Sequence, residues 1–166
     1  MTGLKQAEIG LLPDEWQAKR IDEVYNFTIK PRKLDLLTIK KIPFIPMDFL
    51  PDESLFVRNF EMRDVADLSS GTYIENGDLL IAKITPSFEN GKQGIVDFSY
   101  EFGFATTEVI PIKEQRDVSS KLFLFYYLLK SDVRSRLAGK MDGATGRQEV
   151  VPLVVEIHAV GNGFIV

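Results

Sequence analysis

The densest patterning lies in residues 77–94, GDLLIAKITPSFENGKQG. Asn76-Gly77-Asp78 is turn chemistry, because Asn and Gly adopt positive φ at little cost. Leu79 to Ile84 is apolar apart from Lys83, which is the length and composition of a buried strand. Pro86 ends it, having no N–H for a ladder. Asn90-Gly91 marks a second turn, and Ile95-Val96 resume strand character. The pattern thus predicts strand, polar loop, strand.

Elsewhere Tyr25 to Ile29 alternates like a half-buried strand. Ile42 to Met47 is apolar but holds two prolines, which predicts an edge strand or an extended segment. Residues 51–76 are polar and weakly periodic, with short strands expected at Leu55–Val57 and Gly71–Ile74. Thr106 to Ile112 is β-branched and reads as a strand. Trp16, the single tryptophan, is expected as a core anchor.

Arg20 to Val24 can make one helical turn or a strand entry, and the clearest helical signals lie in the C-terminal third. Ser119-Ser120 can cap a helix whose Leu122, Phe123, Phe125, Tyr126, Leu128 and Leu129 are apolar nearly all round, so it should be mostly buried. Ser131-Asp132 can cap a second helix to about Ala138, with Gly139 as its stop and Val133 and Leu137 on one face. Met141 to Gln148 reads as a loop. The expected fold class is α+β: a strand-rich body with two C-terminal helices.

The 166 residues suit one domain with a real core. The absence of cysteine excludes disulfides, thiolate catalysis and cysteine zinc sites. The first ten residues, MTGLKQAEIG, lack the pattern of a signal peptide, and no apolar run approaches membrane-spanning length. A net charge of −4 argues mildly against nucleic acid, yet its distribution matters more than its sum. Residues 121–149 hold six cations against three acids, and Lys30, Arg32, Lys33, Lys40 and Lys41 form a second basic stretch.

Catalytic chemistry finds little support. His158 is the single histidine, and no partner residue is suggested for it. There is no GxxxxGK[ST] phosphate loop, no glycine-rich loop for S-adenosylmethionine, no Asn-Pro-Pro-aromatic motif, and no Glu-x-Lys of a metal nuclease. No metal ligand set or cofactor is expected. The loop chemistry suits recognition instead. Lys and Arg neutralise phosphates or read guanine, and Asn and Gln read adenine. Candidate DNA contacts are Lys83, Thr85, Ser87, Asn90, Lys92 and Gln93 around the central loop, Arg147 and Gln148 after the 143–146 glycines, and the basic loop at Lys30, Arg32 and Lys33. Several have plainer alternatives, though Arg147 and Gln148 are harder to assign to packing. Asn90 is a good turn former, Lys83 and Lys92 can be solvated surface charge, and Phe88 is better placed as a loop anchor than as a DNA wedge.

AKITPSFENGKQG, then GFATTEVIPI at 103–112 and GATGRQ at 143–148, preceded by IGLLPDEWQAKRIDEV at 9–24, resemble a target-recognition domain. The family is the specificity subunit of type I restriction–modification systems, and the four segments occur in its order. The resemblance implies sequence-specific binding of one half of a bipartite double-stranded DNA target by a non-catalytic, cytoplasmic protein without a cofactor. It implies methyltransferase (M) subunits as partners, and restriction (R) subunits through the complex, and no membrane. Residues 1–152 would be one such domain, the first of two in a full subunit. Residues 153–166, ending HAVGNGFIV, depart from the family pattern as an atypical tail. Because family members read different sequences, the shared segment 83–93 is expected to hold the fold, contact phosphates or read one common base. Base readers that vary are expected within 28–70. Two alternatives stand beside this reading: a truncated docking module that does not bind DNA, and a small hydrolase with carboxylates assembled in space.

Overall fold

The computed structural model describes residues 3–7, 10–14, 16–84, 86–141, 154–160 and 163–164, with side chains to Ala138. In chain order, β1 (Leu4–Ala7) and β2 (Gly10–Pro13) form a hairpin, followed by β3 (Trp16–Arg20), a single turn α1 (Ile21–Val24) and β4 (Tyr25–Phe27). After a long loop come β5 (Lys41–Ile45), β6 (Phe56–Val57), β7 (Glu61–Asp64), β8 (Thr72–Glu75) and β9 (Leu79–Ala82). Then follow β10 (Gln93–Val96), β11 (Phe102–Ala105), β12 (Val109–Glu114), α2 (Lys121–Leu129), α3 (Ser131–Met141), β13 (Val154–Val160) and β14 (Gly163–Phe164). This is the α+β, strand-rich body with two C-terminal helices that the sequence predicts.

Two sheets carry the core. One has five strands in the order β4-β12-β9-β10-β6, the other four in the order β7-β5-β11-β8. Strand β9 is an unbroken apolar run because both its faces are covered. Leu79 and Ile81 face α2 and α3 in a cluster with Ile95, Ile112, Leu124, Phe125, Leu128, Val133 and Leu137. Leu80 faces the other sheet, packing with Val57, Val96 and Val109 against Ile45, Ile74 and Ala105. Burial of each such side chain contributes about 1.5–3 kcal/mol, so these two layers dominate stability. A third cluster, Ile42, Phe44, Tyr73 and Phe104, lies on the outer face of the four-stranded sheet. It is covered by Leu34, Leu36 and Ile39 from the loop after β4 and by Val65 and Leu68. The helices and this loop therefore lie on opposite faces of the double sheet.

The predicted cap forms: the Ser120 hydroxyl accepts from the Phe123 N–H at 3.3 Å. Tyr25 donates its hydroxyl to the Ser120 carbonyl at 2.7 Å, fastening the cap to β4. Val133 and Leu137 are buried, and so is Phe88. Several expectations fail for local reasons. Strand β5 lies inside its sheet, antiparallel to β7 and parallel to β11, despite Pro43. The parallel pairing begins only at Phe44, past the residue that lacks an N–H. Thr106 and Thr107 precede β12 in a turn, and the Thr106 hydroxyl accepts from the Glu108 N–H. Helix α3 runs through Gly139 to Met141. Helix α2 leaves Leu122 41% and Tyr126 59% exposed, so it is covered on one side only. Trp16 is half-buried on β3, outside the three clusters. Strand β13, in the segment read as an atypical tail, pairs antiparallel with β3 from Val154↔Arg20 to His158↔Trp16. Among the described residues, no helix is long and apolar enough to cross a membrane.

Candidate nucleic-acid interface

The central segment 83–93 folds onto itself. Phe88 N–H donates to the Ile84 carbonyl, Asn90 N–H to Pro86, Gly91 N–H to Phe88, and Lys92 N–H to Ser87, all within 3.0 Å. Gly91 takes φ +76°, where a side chain would be strained, so Asn90-Gly91 is present for its turn chemistry. Phe88 anchors the turn in the helix-side core.

This packing sorts the candidates. Gln93 is a correction: it is 3% exposed on β10 and donates its amide to the Phe125 carbonyl at 2.9 Å. It ties the sheet to α2 and has no path to a base edge. Lys92 is half-buried, and its ammonium donates to the Leu50 carbonyl at 3.0 Å. Lys83 and Ser87 are half-buried, and Asn90 is exposed. Thr85, Arg147 and Gln148 lie outside the described residues.

The basic loop is differently built. Lys30, Arg32, Lys33, Lys40 and Lys41 are all exposed, and none makes an ion pair among the described residues. Over residues 28–41 the single acid is Asp35, leaving a net charge of +4 on a chain that totals −4. The loop is held in place. Leu34, Leu36 and Ile39 pack on the outer cluster, while Leu34 N–H donates to Pro31 and Ile39 N–H to Leu36. Lys30 Nζ lies 5.7 Å from the Phe104 ring centre, a favourable cation–π placement. Nearby, the Arg63 guanidinium stacks 3.5 Å from the Phe44 ring centre and pairs with Glu61.

Where the loop leaves β4, a cleft of about 490 Å³ opens between the sheets. Its walls include Phe27, Thr28, Tyr73 and Ile110, and it brings Lys30 and Lys83 together from distant parts of the chain. Sequence alone could not reveal that juxtaposition, since it depends on how β4, β8 and β12 stack.

A polar knot lies on the same edge. Lys113 pairs with Glu75, which also accepts from the Tyr73 hydroxyl. Fully buried Asp78 accepts from the Glu75 N–H at 2.8 Å. Burial pushes its carboxyl up to about 6; the Glu75 N–H, the Thr28 hydroxyl and the Lys113 ammonium oppose that rise without cancelling it. The Tyr73 phenol rises to about 12, chiefly through burial and then through Glu75. The Asp78 bond closes the turn into β9, so the knot has a structural role. Among the described residues, no cluster of three or more His, Cys, Asp or Glu could hold a metal ion.

Comparison with known proteins agrees with this architecture. No family model matches the chain. It is 30% identical over 142 residues to the specificity subunit of the type I restriction enzyme EcoAI from Escherichia coli, covering 84% of this chain and 24% of the relative. It is also 30% identical to the EcoEI specificity subunit of the same organism, over 144 residues, 84% of this chain and 23% of the relative. The chain thus spans about a quarter of the length of these relatives. Its fold matches the crystal structure of the HsdS subunit from Thermoanaerobacter tengcongensis at TM-score 0.55 and 16% identity, over 87% of this chain and 33% of that one. It matches a chain from a structural study of complex assembly and conformational transition of the type I R-M system at TM-score 0.59 and 15% identity, over 87% and 34%.

Proposed function

We propose that this chain, a homologue of type I restriction enzyme specificity subunits, is one target-recognition domain of such a subunit. In this reading it binds one half of a bipartite double-stranded DNA site and catalyses nothing itself. The observation that carries the reading to particular residues is the anchored loop 28–41, with its five exposed cations and net charge of +4. Lys30, Arg32 and Lys33 neutralise phosphates and set the register of the domain on the duplex. Lys83, beside Lys30 in the cleft, extends that track, and exposed Asn90 remains a candidate contact on the turn before β10. Arg147 and Gln148, with Thr85, remain candidates for base contact. Lys92 and Gln93 support the frame on which these residues stand. Methyltransferase subunits, and restriction subunits through the assembled complex, are the protein partners.

One observation favours a docking role beside this one. Helix α2 exposes Leu122 and Tyr126 on the face opposite the basic loop, where a partner subunit can sit without competing with DNA. A domain exchange separates the readings. Substituting this chain for the corresponding domain of a relative should change one half of the methylated target and leave the other half intact. A chimera that assembles and methylates with no sequence preference in the exchanged half would show that the chain docks but does not read DNA.

A further inference from the structure

We infer that Leu37 is a wedge that enters between two stacked base pairs of the bound half-site, an inference that rests on the DNA-binding reading of loop 28–41. Leu37 is 97% exposed, the most exposed large apolar side chain among the described residues. A lone exposed leucine is ordinary on a protein surface. Three features set this one apart. Its N–H is held by the Asp35 carboxylate at 2.8 Å, and Ile39 N–H closes the turn onto Leu36. Its neighbours Leu36 and Ile39 are packed into the outer cluster, so the loop presents Leu37 from a fixed base. The tip is flanked by Lys30, Arg32 and Lys33 on one side and Lys40 and Lys41 on the other, all exposed. Leu4 and Leu11, each 65% exposed on the β1–β2 hairpin, have no such cationic surround.

An apolar tip ringed by cations matches the chemistry of a kinked duplex. The cations bind phosphates on either side of one step, and the apolar group fills the gap left when that step unstacks. Unstacking is cheapest at pyrimidine–purine steps, so the wedge also confers preference for such a step without any hydrogen bond to a base.

The test uses the complex assembled with its methyltransferase subunit, on duplexes carrying 2-aminopurine at successive positions of the half-site. With the native chain, one position away from the methylated base should brighten on binding. Leu37→Ala should abolish that signal and weaken binding about tenfold while keeping the salt slope. Leu37→Met should retain the signal. A base flipped by the methyltransferase stays bright with both chains and serves as the control. Equal brightening and equal affinity for native chain and Leu37→Ala would overturn the wedge. The variant Arg32→Ala/Lys33→Ala distinguishes the two levels of failure. If it lowers the salt slope while Leu37→Ala changes nothing, only the wedge falls. If it too changes nothing, the loop does not face DNA and both readings fall.

Discussion

Replacing Gln93 separates a base-reading role from a packing role. As a base reader, its loss would leave the fold alone and relax preference at one position. As a buried strut it does the reverse. Gln93→Met keeps most of the volume and removes the bond to the Phe125 carbonyl, a loss of about 1 kcal/mol. Gln93→Ala removes the bond and also leaves a cavity between β10 and α2, bringing the loss to about 2–4 kcal/mol. For a chain of this size each kilocalorie moves the melting temperature by about 2–4 °C, so the alanine variant should melt about 4–16 °C lower. Gln93→Glu should be worse than Met, because a carboxylate facing a carbonyl must be protonated to make any bond there. Urea or thermal unfolding of the three variants gives the ranking, and half-site preference at a temperature well below melting should be unchanged in all. A Gln93→Met protein as stable as the native chain, but with preference lost at a single base pair, would refute the packing argument.

Asp78 predicts an unusual pH response. Its carboxyl is raised from 3.8 to about 6 in the fold, so the native state holds this proton more tightly than the unfolded chain. The stability it contributes is fully present below about pH 4 and is lost as pH rises through 6, at most about 3 kcal/mol. Urea midpoints at pH 4.5, 5.5 and 7 should show this trend, and Asp78→Asn should remove its share of it. Gly103→Ala should destabilise by about 1–3 kcal/mol, seen as a lowered melting temperature, because the new methyl would sit 2.6 Å from the Pro43 carbonyl oxygen and part β11 from β5.

Much of the frame was legible because its signals are local. The run Leu79–Ala82 is apolar on both faces since it lies between a helix layer and a second sheet. The cap at Ser120 and the buried stripe of Val133 and Leu137 follow from spacing alone. The anchoring of Phe88 and the turn role of Asn90-Gly91 were readable in the same way. What failed was nonlocal. Pro43 marked an edge by composition, but strand order is set by pairing partners far along the chain. Gln93 looked like a reader because it follows a turn, yet it already belongs to β10, whose register aims it at α2. The basic loop was visible as charge. That Leu34, Leu36 and Ile39 fix it to an outer sheet face, presenting the cations and Leu37 together, could not be read without Phe44, Tyr73 and Phe104 beside them.

Salt dependence is the sharpest probe of whether loop 28–41 faces DNA. In the complex assembled with its methyltransferase, binding of the target duplex should be measured from low to moderate salt for the native chain and for Lys30→Ala/Arg32→Ala/Lys33→Ala. These side chains are exposed, so the fold should be unaffected. If all three contact phosphates, the slope of log affinity against log salt should become shallower by about 2.7, since each contact releases about 0.9 counterion. An unchanged slope and affinity, in a variant that still assembles, would contradict the account and place the DNA-binding surface elsewhere on the domain.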